Sequence, residues 1–105
     1  MFALVVRFDL RDEASVVRFD ELTAQLLEQI RAREPGTLTY ATHRVDGEPL
    51  ARIFYEVYAD AAAFERHEAA AHVVAFHTAK DPLVRAARVE FLRELPDPGR
   101  GSGHS

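Results

Sequence analysis

Apolar residues alternate along the first stretch of the chain, as they do in a half-buried β-strand. Residues 2–9 place four large apolar side chains on one side of this predicted strand, and its other side is also mostly apolar. The four are Phe2, Leu4, Val6 and Phe8. Apolar residues on both faces are typical of a strand in the middle of a sheet that is covered on both sides.

A helical pattern follows, in which apolar residues recur at intervals of three and four. Asp12 or Ser15 is suited to cap its N-terminus, because a short polar side chain can accept a hydrogen bond from a free backbone N–H group. Pro35 ends the helix, because the residue before a proline disfavours helical geometry. The apolar stripe, which we expect to face the sheet, consists of Phe19, Leu22, Leu26, Leu27 and Ile30.

The middle of the chain predicts a β-hairpin. Residues Thr37–Val45 are rich in β-branched and aromatic side chains, which favour a strand. Asp46 and Gly47 form a turn signal of the kind that joins two antiparallel strands. The returning strand is predicted over Leu50–Tyr58, with Pro49 at the edge of the turn, where a missing N–H group costs little.

The last third of the chain predicts one helix, a segment with two interpretations and a final strand. Asp60 is a suitable N-cap for a helix over Ala61–Ala71. The segment His72–Thr78 either continues that helix or begins a separate turn. Asp81-Pro82 interrupts the pattern, and a short helical turn is predicted after it over Leu83–Ala87. The final strand is predicted to contain Val89, Phe91 and Leu95.

The order strand-helix-strand-strand-helix-strand predicts one α+β domain over residues 1–95, a ferredoxin-like split βαβ sandwich. We expect a four-stranded antiparallel sheet with helices on one face. The other face is apolar in the first and third strands and needs cover, so the sequence predicts a homodimer in which two sheets pair. Residues 96–105, rich in Pro and Gly, are predicted to form a disordered tail.

Composition narrows the classes of function. Of 105 residues, 48% are hydrophobic, and the formal net charge is −4 without a basic tract, so we expect no nucleic-acid partner. The chain contains no cysteine, which excludes disulfides, thiolate catalysis and cysteine-bound metal centres. No stretch approaches the ~20 apolar residues of a membrane span, and residues 1–7 do not resemble a signal peptide. The expected location is the cytoplasm, with no membrane partner.

Three segments carry a resemblance to a known family. They are Arg31–Leu38 at the junction of helix and strand, Phe54–Tyr58 with the following Ala61–Phe64 and His67, and His72–Phe76. The types and spacing of these residues resemble the antibiotic biosynthesis monooxygenase family over about residues 2–95. The resemblance implies a dimeric α+β barrel. One difference is Tyr58, at a position where such sequences often have tryptophan.

The resemblance implies two chemistries, of which the first is oxygenation of phenolic, quinol or anthrone-like aromatic substrates by O₂ without a cofactor. For this chemistry His72 and His67 are the candidate catalytic bases, because imidazole titrates near neutral pH and a deprotonated phenol or quinol is electron-rich enough to reduce O₂. The alternative is that both histidines only pack or cap helix ends. We predict no metal site, because a spacing of five residues turns successive side chains by about 140° on one helix.

The second chemistry is haem degradation, for which His77 is the candidate axial ligand. That branch of the family implies an asparagine on the first strand and a tryptophan on the second helix. The comparable positions here hold Arg7 and His67. The alternative for His77 is a solvent-facing residue, and the predicted cofactor is none, with haem as the alternative.

Charged and aromatic residues on the predicted strands are candidates for substrate binding. Arg7 and Glu56 either orient a polar group of the substrate or pair with each other across the sheet. Tyr40, Tyr55 and Tyr58 either line an aromatic pocket and donate hydrogen bonds from their hydroxyl groups, or pack in the core. The alternative to an enzyme is a non-catalytic ligand-binding or dimerisation module with the same fold.

Overall fold

The computed structural model describes residues 1–99. The elements, in chain order, are β1 (Phe2–Leu10), α1 (Glu13–Arg33), β2 (Thr37–Val45), β3 (Glu48–Tyr58), α2 (Ala61–Ala69), α3 (Ala71–Lys80), a 3₁₀ turn (Asp81–Leu83) and β4 (Val84–Leu92). Residues 100–105, the greater part of the tail that was predicted to be disordered, lie outside the described residues.

The four strands form one antiparallel sheet in the order β2-β3-β1-β4. β1 is central, as its two apolar faces predict, and its Val6 lies between Phe54 of β3 and Val89 of β4. The β2-β3 turn places Gly47 at a φ of 77°, the left-handed region that favours glycine. The predicted ferredoxin-like α+β topology is therefore confirmed.

The core lies between the sheet and the helices, and α1 contributes its apolar stripe. Asp12 caps α1 by accepting a hydrogen bond from the N–H group of Ser15 at 2.8 Å. Phe19 is completely buried and packs against Phe54 and Phe76, with ring centroids 5.7 and 5.8 Å away. Further core side chains are Leu4, Val6, Phe8, Leu10, Leu22, Leu26, Ile30, Tyr58 and Val73.

Two strands begin earlier than predicted. β3 starts at Glu48 rather than Leu50 and so includes Pro49, at a point where the β2-β3 register shifts. The helical turn predicted over Leu83–Ala87 is wrong, because β4 starts at Val84 and pairs with β1 there. Alanine is the strongest helix former, but helix propensity is a weak preference that pairing with a central strand outweighs. Leu95, assigned to the final strand, lies beyond its end.

The segment after α2 is separate from that helix, as the second interpretation proposed, but it forms the ten-residue helix α3 instead of a turn. Ala70 has extended backbone angles, φ −66° and ψ 138°, and it ends α2 and precedes α3. Ala70 is both the C-cap of α2 and the N-cap of α3. Its N–H group donates to His67 O, and its carbonyl accepts from Val73 N. On one straight helix, the side chains of His67 and His72 would point about 140° apart around the axis. The break at Ala70 changes the direction of the chain between them.

The face of the sheet opposite the helices carries apolar side chains. Val5 of β1 lies beside Tyr55 of β3 on this face, and Ile53 and Val57 flank Tyr55 along the strand. Tyr55 is 41% exposed. Within residues 1–99, none of the helices combines the length and the apolar character that crossing a membrane would require.

Candidate functional site

An apolar cleft of about 290 Å³ opens between the sheet and the α2-α3 pair. Its floor comes from β1 and β4, and its roof from α2 and α3. Val89 and Phe91 of β4 are 50% and 62% exposed. Polar side chains line the cleft at several points among these apolar walls: Tyr40, Glu56, His67, Glu68, His77 and Lys80.

His67 lines this cleft and is held in place by a carboxylate. Its Nδ1 lies 2.7 Å from Oε1 of Glu34, and its side chain is 4% exposed. Its ring lies beside Tyr40 and Tyr58, at centroid distances of 5.5 and 5.1 Å. Because an ionised Glu34 can only accept, Nδ1 carries the hydrogen. The second nitrogen, Nε2, has no protein partner within residues 1–99 and is the one left for a ligand.

His72 binds the other oxygen of the same carboxylate. Its Nε2 forms a short hydrogen bond with Oε2 of Glu34. His72 does not line the cleft; it lines a groove of about 420 Å³ between α1 and α3, referred to below as the helix groove. Its side chain is 15% exposed, against 8% for Glu34. One buried carboxylate therefore joins a histidine of the cleft to a histidine of the helix groove.

Glu34 stays ionised in this setting. Burial alone would raise its pKa, but hydrogen bonds from Thr37, His72 and His67 outweigh burial and hold the pKa below its usual value. The Thr37 hydroxyl donates to Oε1 at 2.6 Å. A carboxylate that accepts three hydrogen bonds fixes the orientation of both imidazole rings.

Glu56 is a second buried carboxyl group, and its environment acts in the opposite direction. It is 4% exposed, and burial raises its pKa from 4.5 to about 7, although Tyr58 Oη donates to its Oε1 at 2.6 Å. Burial, followed by the charge of Glu56, raises the pKa of Tyr58, and the same causes raise that of Tyr40. Near neutral pH, the carboxyl group of Glu56 can thus exist in its protonated form, beside the phenols of Tyr40 and Tyr58, which keep their hydrogens.

His77 lies in α3 at the rim of the cleft, and its side chain is 45% exposed. Its Nε2 lies 3.4 Å from Oε2 of Glu68, and this contact lowers the pKa of Glu68. The interpretation of His77 as a residue open to solvent matches its exposure. Within the described part of the chain, no group of three or more histidine and carboxylate side chains is arranged to hold a metal ion.

Two of the residues selected for substrate binding lie on the other side of the sheet. Arg7 pairs with Asp9 and Glu48 at 3.0 and 2.8 Å, and the predicted pair between Arg7 and Glu56 is wrong, because the two side chains point to opposite faces. Tyr55 also points away from the cleft, since it alternates with Glu56 along β3. Tyr40, Glu56 and Tyr58 lie together with His67 on the helix side of the sheet.

Sequence reasoning gave no role to Glu34, the residue that organises both histidines. Glu34 is the C-cap of α1, immediately before Pro35. An acidic residue at the C-terminal end of a helix interacts unfavourably with the helix dipole. Its presence at this position therefore indicated that Glu34 has a specific partner elsewhere in the fold. The site comes together because α2 packs closely on this corner: Gly36 O accepts from Ala59 N at 2.9 Å, and a Cβ at Gly36 would lie 2.8 Å from Ala63 Cβ.

A comparison with protein families places the chain in a known class. The family model of antibiotic biosynthesis monooxygenases matches residues 1–79, and the chain belongs to this family. No curated protein matches the sequence.

Solved structures of similar proteins share the fold over nearly the whole chain. One is from Caulobacter crescentus CB15 and is provisionally named an antibiotic biosynthesis monooxygenase; it is 24% identical, covers 90% of each chain and has a TM-score of 0.84. Another, named antibiotic biosynthesis monooxygenase, is 24% identical over 91% of this chain and 100% of its own, with a TM-score of 0.82. A Pseudomonas aeruginosa protein is 24% identical over 90% and 94%, with a TM-score of 0.78. At these identities the likeness shows the fold.

Proposed function

We propose that this protein is a small monooxygenase that uses O₂, without a cofactor, on a phenolic, quinol or anthrone-like aromatic substrate bound in the cleft. The observation that carries the proposal is His67, a buried imidazole that lines an apolar cleft and is oriented by Glu34. This arrangement of carboxylate, imidazole and cleft is that of a general base. Family membership alone does not fix the reaction, so the enzyme function is argued from the side chains of the cleft.

In the proposed reaction, Nε2 of His67 removes a proton from a hydroxyl or acidic methylene group of the substrate. The resulting anion is electron-rich and transfers electrons to O₂, which is the only oxidant required. For an anthrone-like substrate the methylene carbon becomes a carbonyl, one oxygen atom enters the substrate, and the other leaves as water with the two hydrogens. Glu34 stabilises the imidazolium that forms, because it already accepts the Nδ1 hydrogen.

The remaining cleft residues support binding of the substrate and of its anion. Phe64 and Phe91 provide apolar walls and exclude water, which strengthens polar interactions inside the cleft. Glu56 in its protonated form would donate a hydrogen bond to a substrate oxygen, and the Tyr40 phenol provides a second donor. Arg7 and Tyr55 have no place in this binding mode, because they lie on the opposite face.

The proposal includes no haem, and the arrangement of His77 argues against one. The Nε2 atom of His77 lies against Glu68, and its side chain is 45% exposed at the rim. A cleft of about 290 Å³ is at the lower limit of ligand sites, which span ~300–1,000 Å³, and so favours a compact aromatic molecule over a tetrapyrrole. No step of the mechanism passes through haem.

We also propose a homodimer in which the faces around Tyr55 pack together. Val5, Ile53 and Val57 make this face apolar, and burying such a face is favourable by roughly 25 cal/mol for each Å². Sedimentation velocity should give twice the chain mass for the wild type, and Tyr55→Glu should give monomers. Val17→Glu, which places the same charge on the exposed surface of α1, is the control and should stay dimeric. A monomeric wild type would contradict this assembly.

Oxygen consumption with a panel of hydroquinones, substituted phenols and anthrones tests the enzyme function. The informative variant is His67→Asn, because the asparagine amide can still donate to Glu34 while the base at Nε2 is lost. We expect it to lower kcat by about a hundredfold or more with a substrate that the wild type turns over. His43→Asn, at an exposed position of β2, is the control. Equal turnover by wild type and His67→Asn would refute the mechanism.

The second candidate is a non-catalytic binding module, because an apolar cleft with a few polar side chains can also bind a ligand without turnover. It predicts that aromatic ligands raise the thermal unfolding temperature while no member of the panel supports oxygen consumption. Stabilisation without turnover would therefore favour the module over the enzyme.

A further inference from the structure

We propose that the cleft selects aromatic substrates that carry a carboxylate, and that Lys80 binds this group at the end of the cleft remote from His67. The proposal rests on the proposed function, in that the hydroxyl group of the same substrate lies at His67. It narrows the substrate class from a phenol to an aromatic hydroxy acid. It also makes Lys80 a residue that determines specificity.

The two ends of the cleft follow from the register of β1. Glu56 pairs with Leu4, and His67 lies at this end, since its ring contacts the two tyrosines beside Glu56. The Nζ atom of Lys80 lies 5.7 Å from the ring centroid of Phe8, further along the same strand. The step from Leu4 to Phe8 spans roughly 13 Å of strand. The cleft therefore suits a substrate whose two polar groups lie at opposite ends of an aromatic ring system.

Lys80 presents a desolvated ammonium group that has hydrogen-bond donors to spare. It is 9% exposed, and its Nζ donates to Oδ1 of Asp81 at 2.8 Å. The side chain of Asp81 is 70% exposed, so water screens much of its charge. An ammonium group has three N–H donors, and no second acceptor within residues 1–99 bonds to this one. A ligand carboxylate would accept from the remaining donors and compensate the buried charge.

The other charges of the cleft direct an anion to the Lys80 end. Glu34 is ionised and lies directly behind His67, so it repels a carboxylate there. Glu56 adds to this repulsion in its ionised form. Glu68, at the rim, is 45% exposed, and water weakens its effect. Among the described residues, Lys80 is the only lysine or arginine that lines the cleft.

The floor of the cleft leaves room for a group next to Lys80. Ala87 of β4 lines the cleft and pairs with Phe8 of β1. The smallest side chain of the floor therefore lies at the Lys80 end, whereas the corresponding position at the other end holds Phe91. A carboxylate at the end of a ring system can approach the ammonium group over Ala87.

The test compares 6-hydroxy-2-naphthoate with its carboxamide, a neutral probe of nearly the same shape with the same hydroxyl group. Fluorescence titration near neutral pH gives both dissociation constants, and argon prevents oxidation of the probes by O₂. We expect the wild type to bind the carboxylate at least about tenfold more tightly, because hydrogen bonds between charged groups are the stronger ones. Lys80→Met keeps an apolar chain but loses the charge, so it should remove this preference.

Two variants serve as controls for the loss of charge. Lys80→Arg keeps the positive charge and should retain a preference for the acid. Arg18→Met removes a positive charge from the exposed surface of α1 and should bind both probes as the wild type does. Equal binding of acid and amide by the wild type would overturn the proposal. A preference for the acid that Lys80→Met retains in full would also overturn it.

A second measurement needs no variant and decides the question if Lys80→Met does not fold. Lys80 is the only lysine among the 13 basic residues of the chain, so protein made with isotope-labelled lysine gives one Cε signal in NMR spectra. Saturation with the acid should shift this signal, and saturation with the amide should shift it far less. An acid that binds without shifting the signal would overturn the assignment of Lys80.

These measurements involve no turnover, so their outcome is separable from the proposed function. Preference for the acid through Lys80, without oxygen consumption by any probe, would leave the carboxylate site and remove the oxygenase. Oxygen consumption that is as efficient with neutral phenols as with hydroxy acids would leave the oxygenase and remove the selection for a carboxylate.

Discussion

Glu56 gives the most quantitative prediction, because a buried acid with a raised pKa makes the fold less stable at high pH. The folded protein holds the Glu56 proton more tightly than the unfolded chain, since the pKa rises from 4.5 to about 7 on folding. At ~1.4 kcal/mol for each unit, this difference corresponds to about 3 kcal/mol. The unfolded state loses its proton first, so stability falls as pH rises from 4.5 to about 7 and then levels off.

Glu56→Gln tests this directly, because the amide oxygen can still accept the Tyr58 hydrogen bond while the titration is lost. Urea unfolding of both proteins at about pH 4 and about pH 8 gives four free energies of unfolding. On going from about pH 4 to about pH 8, we expect the free energy of unfolding of the variant to rise by about 3 kcal/mol relative to that of the wild type. Protein concentration must be the same throughout, because association would shift each value.

Glu21→Gln is the matched control, since it removes one carboxyl group from the exposed face of α1. The free energy of the control relative to wild type should not change by a comparable amount with pH. A pH-dependent gain of the same size in both variants would refute the reasoning, because burial of Glu56 would then have no specific effect. A gain below about 0.5 kcal/mol in Glu56→Gln would also refute it.

Two further predictions concern the packing that positions the site. Gly36→Ala should lower the free energy of unfolding by about 1–3 kcal/mol, because its Cβ would lie 2.8 Å from Ala63 Cβ. Adding Ala63→Gly to this variant should recover part of the loss. If urea unfolding shows no loss for Gly36→Ala alone, the close approach of α2 is contradicted. Phe19→Ala should cost about 3–5 kcal/mol as measured by thermal or urea unfolding, because Phe19 is completely buried. Val17→Ala, at a 63% exposed position of the same helix, should change stability far less, and equal losses would contradict the assigned core.

Elements with strong local signals could be predicted from the sequence to within one or two residues. The N-cap at Asp12, the stop at Pro35 and the turn at Gly47 are set by the chemistry of a few neighbouring residues. The two-faced apolar pattern of residues 2–9 also located β1 correctly in the centre of the sheet. These features need no knowledge of distant contacts.

The sequence left the break at Ala70 undecided and did not predict the start of β4, because both depend on tertiary contacts. Ala70 is neither a glycine nor a proline, and the residues around it favour a continuous helix. Val84–Ala87 form a strand because β1 pairs with them. Local propensity gives no information about either effect.

The candidate site was predicted by residue type, but not by arrangement. His67 and His72 were correctly placed near the second helix, yet their shared partner Glu34 lies more than 30 positions earlier in the chain. One part was accessible from the sequence: Tyr55 and Glu56 are neighbours on a strand and cannot face the same cleft. Alternation alone would have removed Tyr55 from the substrate-binding set.

The most direct test of the central claim is whether His67 removes a proton from an aromatic hydroxyl group bound in the cleft. Binding of 4-nitrophenol can be followed by the visible absorbance of its phenolate, at pH values where the free probe is mostly protonated. We predict that the wild type converts the bound probe to phenolate and that His67→Asn, which retains the Glu34 contact, binds the neutral phenol. Equal phenolate formation by the two proteins would contradict the assignment of His67 as the base.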